Sequence, residues 1–130
     1  MTPLVLRLPI KDLDKSLQFY KDILGLSEDS RLTLHHDRLT QIRLWISALK
    51  NACLELSYYW DAPLYYKQGK NILSLDIHVS ADEFDAMHAR FAYFNYAFQI
   101  KHNESISYLL CVSPDKFPLR ICKIDVNASF

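Results

Sequence analysis

The sequence predicts an α+β fold made of two βαβββ modules, and three observations carry that prediction. Apolar residues alternate along several short segments with the period of a one-sided strand. Two other stretches place apolar residues three and four apart, the spacing of a helix face. The order strand, helix, strand, strand, strand then occurs twice, as a repeat of pattern without evident identity between the halves. At 130 residues the chain is expected to form a single domain, with one module over about 3–60, a connector over about 61–71 and a second module over about 72–126.

Leu4, Leu6, Leu8 and Ile10 alternate with Val5, Arg7 and Pro9, which gives a first strand with one buried face. Asp12 is a good N-cap, and Leu13, Leu17, Tyr20 and Leu24 keep helical spacing up to Gly25, so a helix is expected over about 13–24. Extended segments follow at 31–35, 41–47 and 52–59, separated by polar breaks at 36–38 and 49–51. Residues 62–71, with Pro63, Gln68 and Gly69, read as the connector. The pattern then restarts with an extended segment at 72–80. Asp82 is the expected cap of a helix whose Phe84, Met87, Phe91 and Phe94 form one stripe, and 98–101, 106–112 and 119–124 are extended.

Composition excludes several classes of function. Fifteen Lys plus Arg balance fifteen Asp plus Glu, which argues against a disordered polyelectrolyte and against nonspecific nucleic-acid binding. Only Gly25 and Gly69 are glycines, too few for a dinucleotide fingerprint, a phosphate-binding loop or a nucleophile elbow. Cys53, Cys111 and Cys122 are widely spaced without a C-x-x-C and are expected to be reduced core thiols. The amino-terminal stretch is too short in apolar residues for a signal peptide, and no run approaches the roughly 18 apolar residues of a membrane span. A cytoplasmic protein that engages neither membrane nor nucleic acid is the expectation. Aromatic residues at 13% exceed what so small a core hides, so some are expected at a pocket or subunit interface.

Residues 6–26, LRLPIKDLDKSLQFYKDILGL, carry Asp12, Ser16, Phe19, Tyr20, Leu24 and Gly25 in an arrangement that resembles the opening strand and helix of the vicinal oxygen chelate superfamily, the glyoxalase, bleomycin-resistance and extradiol dioxygenase group. Residues 54–60, LELSYYW, resemble the fourth strand of bacterial glyoxalase I, where the glutamate aligned with Glu55 is a metal ligand. Residues 113–121, SPDKFPLRI, resemble the family's D-P-D-G-x-x-x-E-L ending, from which Ser113 and Lys116 depart. The resemblance implies curved mixed sheets around a cleft, paired modules at each site and a homodimer. It also carries the family's metal positions onto Val5, Glu55, Ser74 and Arg120, or onto Ile72 or Asp76 if the fifth strand is shifted by two. Valine and arginine cannot donate to a metal and serine rarely does, so a degenerate metal site with only Glu55 retained, and no cofactor, is expected. A divalent metal held by Glu55 and further donors is the alternative.

Strand parity identifies the face opposite the leucine stripes. It carries Val5 and Arg7; Gln41, Arg43 and Trp45; Cys53, Glu55, Ser57 and Tyr59; Ser74, Asp76 and His78; and Arg120 and Cys122. From this set Arg7, Arg43, Trp45, Glu55, Ser57, Tyr59, Ser74, Asp76, His78 and Arg120 are the candidate ligand-binding residues. The three arginines either pair with Glu55 and Asp76 or leave a guanidinium free to grip a carboxylate or phosphate. Arg120 is expected near Glu55, a fixed organic cation in place of a metal. Glu55 and His78 are the catalytic candidates, His78 as a general base near its unperturbed pKa of ~6.5.

Other groupings point to less. His35, His36 and Asp37 suggest a metal patch, but adjacent strand residues point to opposite faces, so a turn is expected there. Tyr58, Tyr59, Trp60, Tyr65 and Tyr66 are read as packing or dimer surface before a ligand cage. Cys53 meets His78 only if both face inward. The function expected is binding of a small polar or anionic organic molecule. The alternatives are a metal-dependent glyoxalase-type lyase or isomerase, a dioxygenase relative, and a drug-sequestering resistance protein. The last needs an acidic cleft that zero net charge and three arginines do not supply.

Overall fold

The first unit, within Met1–Gln68, opens with β1 (Leu4–Ile10) and the short helix α1 (Leu13–Leu17), which runs on as a π-helical segment, Gln18–Ile23. Three strands follow: β2 (Ser27–Leu34), β3 (Leu39–Trp45) and β4 (Ala52–Tyr59). The second unit, within Gly69–Phe130, contains β5 (Leu75–Val79), α2 (Ala81–Tyr93), β6 (Gln99–Asn103), β7 (Ile106–Val112) and β8 (Pro118–Lys123). The computed structural model describes residues 4–45, 52–61, 75–103 and 106–124. Each unit is the expected βαβββ module. The sheet orders are β1-β4-β3-β2 and β5-β8-β7-β6, with β1 parallel to β4, β5 parallel to β8, and the remaining pairs antiparallel.

Alternation along the strands builds the core. Leu8, Ile10, Ile42, Leu44, Leu54 and Leu56 are buried in the first unit, with Phe19, Tyr20, Ile23 and Leu24 from the helical segment. Ile77, Val79, Leu109, Leu119 and Ile121 are buried in the second, with Phe84, Met87 and Phe91 of α2. Each such side chain contributes about 1.5–3 kcal/mol when removed from water.

The helix ends show how local chemistry sets the frame. The Asp12 carboxylate accepts the Lys15 backbone N–H at 3.0 Å, as expected for an N-cap. α2 ends in a Schellman motif: the Asn95 N–H donates to the Ala92 carbonyl at 3.1 Å and the Tyr96 N–H to the Phe91 carbonyl at 2.9 Å, with Asn95 left-handed at φ 53°. The first helix closes one residue wider, the Leu26 N–H reaching the Tyr20 carbonyl at 3.0 Å around Gly25 at φ 79°. That extra residue is the π-helical turn, and it brings the neighbours Phe19 and Tyr20 both inside, their rings edge to face at 4.9 Å.

Four expectations are corrected. The helix predicted over 13–24 is α-helical only through Leu17. The cap of α2 is Ser80 and not Asp82: its hydroxyl accepts the Glu83 N–H at 3.2 Å, and Asp82 sits in the first turn, where its charge suits the helix dipole. Phe94 is the C-cap of that helix and is only half-buried. The second strand begins at Ser27 rather than 31, because β2 is an edge strand exposed along nearly its whole length and so shows no burial period. Its pairing with β3, broken by a register shift between Glu28 and Ser30, defines it instead. The other strands agree with expectation to within three residues at the ends that lie in the described residues. The 49–51 break and the 62–71 connector lie outside the described residues.

Candidate functional site

Cross-strand register arranges nine side chains on one face of the first sheet as a three-by-three block. β4 supplies the middle column, Cys53, Glu55 and Ser57, flanked by Val5, Arg7 and Pro9 of β1 and by Trp45, Arg43 and Gln41 of β3. One row, Val5–Cys53–Trp45, is mainly apolar. The central row, Arg7–Glu55–Arg43, is ionic. The third, Pro9–Ser57–Gln41, is small and polar. The middle column is buried, and the flanking columns are partly or fully exposed.

The ionic row is tightly organised. Arg7 Nε donates to Glu55 Oε1 at 2.9 Å and Arg43 Nη2 donates to Glu55 Oε2 at 3.0 Å, one guanidinium on each oxygen. The glutamate side chain is 7% exposed, while Arg7 is 65% and Arg43 37% exposed. Burial pushes the Glu55 pKa up, but the hydrogen bonds from Arg43 and Arg7 outweigh it and hold the carboxyl below its ordinary value. The hydrogen bond to Glu55 raises the Arg43 pKa in turn. Burial raises the Cys53 thiol, so at neutral pH it is a protonated, apolar neighbour and not a nucleophile. Two polar atoms of the block, Ser57 Oγ and Trp45 Nε1, are buried without a hydrogen-bond partner among the described residues.

The corresponding face of the second sheet is simpler. Asp76 lies opposite Arg120, and His78 opposite Cys122, across the parallel β5–β8 pair. Arg120 Nε donates to Asp76 Oδ1 at 2.8 Å and its Nη2 donates to Oδ2, a bidentate pair that holds the Asp76 carboxyl below its usual range. The guanidinium stacks 5.6 Å from the Tyr108 ring. His78 is exposed on this face.

All three arginines singled out in the sequence are therefore paired, Arg7 and Arg43 with Glu55 and Arg120 with Asp76. Val5 lies one step along the same face from Arg7, opposite Cys53. Tyr59 closes the β4 row opposite Leu39. Ser74 and Ile72, with Tyr65 and Tyr66, lie outside the described residues. His35, His36 and Asp37 fall in a turn, as expected. Trp60 packs there, its ring 5.6 Å from the Arg38 guanidinium and its Nε1 donating to Thr40 Oγ1 at 3.0 Å. Sequence reasoning missed Tyr108, although the alternation of β7 puts it opposite Cys122 and on the Arg120 face.

These residues do not fit a divalent metal. Both Glu55 oxygens face guanidinium donors, both Asp76 oxygens face Arg120, and fixed positive charge occupies the surroundings that a cation needs. Among the described residues no three His, Cys, Asp or Glu side chains come together as a ligand set. No helix of the described residues is long and apolar enough to cross a membrane.

No family model and no curated protein matches the sequence. Solved structures do match. A glyoxylase/bleomycin resistance protein/dioxygenase domain from Frankia sp. EAN1pec is 17% identical, with a TM-score of 0.73 over 98% of this chain and 94% of that one. The trypanothione-dependent glyoxalase I of Leishmania major is 19% identical, with a TM-score of 0.74 over 95% and 86%. Glyoxalase I from Zea mays is 15% identical, with a TM-score of 0.78 over 92% of this chain and 43% of that one. At these identities the likeness is one of fold.

Proposed function

We propose that this chain, which carries the vicinal oxygen chelate fold, binds a small organic anion on the face of the first sheet through Arg7 and Arg43. The observation that carries this reading is the sharing of one buried carboxylate by two exposed guanidiniums. Glu55 fixes both arginines, and the row itself holds two guanidiniums to one carboxylate, with Asp29 the further carboxylate acting on Arg43. Each guanidinium has five N–H donors, of which Glu55 takes one among the described residues, and the rest suit a carboxylate or phosphate. The unpartnered Ser57 hydroxyl supplies a further hydrogen bond beside the anion, and the Val5–Cys53–Trp45 row receives an apolar substituent. Free buried cysteines fit a reducing cytoplasm, and the fold's habit of pairing supports a homodimer, which sedimentation velocity tests.

The test is a calorimetric titration with matched anionic, neutral and cationic small molecules, alongside native mass spectrometry of the purified protein. Anions bind, and the variant combining Arg7→Met and Arg43→Met with Glu55→Leu, which leaves no buried carboxylate unpaired, removes that binding while circular dichroism shows the fold retained. Equal binding of neutral or cationic compounds overturns the reading. So does a stoichiometric divalent metal in protein purified without chelators, which supports a glyoxalase-type enzyme instead.

A further inference from the structure

We infer that the second unit holds a separate groove for an aromatic organic anion, anchored by Lys116. The groove has a volume of about 600 Å³ and runs between the loop after α2 and the β7–β8 turn, lined by Tyr96, Phe98, Leu110, Val112, Pro114 and Lys116 among others. Its volume suits a small organic ligand, and its rings and aliphatic side chains suit an aromatic body.

Backbone strain singles out the lysine. Among the described residues three non-glycines have positive φ: Arg38, Asn95 and Lys116. Asparagine tolerates that region and is an ordinary helix terminator, whereas a long side chain there is disfavoured. At Arg38 the side chain offsets the cost, since its guanidinium binds Asp61 at 2.7 and 3.3 Å and lies over Trp60. Lys116 occupies the bulge position of a tight hairpin turn at φ 72°, with its N–H donating to the Ser113 carbonyl and the Ser113 N–H to the Phe117 carbonyl, both at 2.9 Å. Glycine suits this place best. The Lys116 ammonium has no hydrogen-bond or ion-pair partner among the described residues, and the neighbouring Asp115 is buried and is not on the groove lining. Among the described residues no polar contact offsets the lysine, and the residue lines the groove. Backbone strain of this kind clusters at active sites and ligand clamps, and here it coincides with a groove.

The test uses the full chain and two probes that share an apolar body, 8-anilinonaphthalene-1-sulfonate and neutral N-phenyl-1-naphthylamine, followed by fluorescence and by NMR shifts of the groove amides. Lys116→Gly relieves the strain and removes the charge. It raises the melting temperature by about 4 °C, weakens sulfonate binding about tenfold and leaves the neutral amine unchanged. Ala97→Trp, which fills the groove, weakens both probes. The inference fails if Lys116→Gly binds the sulfonate as tightly as the parent, or if its melting temperature falls. It also fails if sulfonate binding disappears in Arg43→Met yet persists in Lys116→Gly, because the anion then sits on the first sheet alone.

Discussion

Arg7 and Glu55 stand opposite each other across the parallel β1–β4 pair, joined by a 2.9 Å hydrogen bond, and Asp76 and Arg120 fill the corresponding places in the second unit with the charges exchanged. The correspondence follows from the core: the next residues, Leu8 and Ile77, are both buried. Each parallel strand pair thus neutralises itself. The difference lies one strand further in, where Arg43 flanks Glu55 in the first unit and Leu110 flanks Arg120 in the second. That single exchange of an apolar for a cationic side chain puts two guanidiniums on one carboxylate in the first unit, with Asp29 acting on Arg43 from the neighbouring edge strand.

Glu55→Gln tests how much the double hydrogen bond holds. The variant keeps the shape but loses a charged acceptor for two arginines, and is expected to lose about 1.5–3 kcal/mol of stability at neutral pH, towards the lower end because both guanidiniums meet solvent. The sign with pH is definite. Glu55 titrates lower when folded than its ordinary value of 4.5, so its contribution is complete above that value and is lost as pH falls through the folded pKa. Urea unfolding should show a gap between parent and variant near neutral pH that closes on acidification. A gap that persists unchanged in acid contradicts the assignment.

The Asp76–Arg120 pair is bidentate but exposed, at 35% and 47% for the two side chains, so solvent screens it. A double-mutant cycle with Asp76→Ala and Arg120→Ala is expected to give a coupling of only about 0–1 kcal/mol, smaller still in high salt. A coupling of several kcal/mol, insensitive to salt, contradicts that expectation.

Much of the first-sheet block was readable from alternation alone: leucines at every second position assign Arg7, Arg43, Glu55 and Ser57 to one face whatever the partner strand. Which residue stands beside which was not readable, because register is a relation between backbones, and a slip of two residues keeps every face and replaces Arg7 by Val5 opposite Glu55. The start of β2 is not legible for a related reason, since a strand exposed on both faces carries no burial period. The α2 cap is legible in the sequence: Ser80 and Glu83 have the S-x-x-E spacing of a capping box, a stronger signal than the lone acid Asp82. Lys116 stood out only as a departure from a glycine-bearing motif, and its meaning needed the backbone angle.

The capping assignment gives a prediction of its own. Ser80→Ala removes the acceptor of the Glu83 N–H and should cost about 1 kcal/mol, whereas Asp82→Ala removes only a favourable charge in the first turn and should cost about 0.3–1 kcal/mol. Chemical denaturation of the two variants ranks them, and the reverse order restores Asp82 as the cap.

Ser57 separates the needs of folding from those of binding. Its hydroxyl is buried, with the residue 1% exposed and no hydrogen-bond partner for Oγ among the described residues. An orphaned hydroxyl of this kind costs about 1–3 kcal/mol relative to one that is hydrogen-bonded. Ser57→Ala removes the orphan at almost constant volume, so thermal unfolding should show a protein as stable as the parent or more so. Titration of the same variant with an anion that binds the parent should show weaker binding, because the hydroxyl lies beside Glu55 and its two arginines on the proposed binding face. A gain in stability together with a loss of affinity is what a residue kept for binding produces. A loss of stability instead places the hydroxyl in the fold's own hydrogen-bond network, and unchanged affinity removes Ser57 from the site.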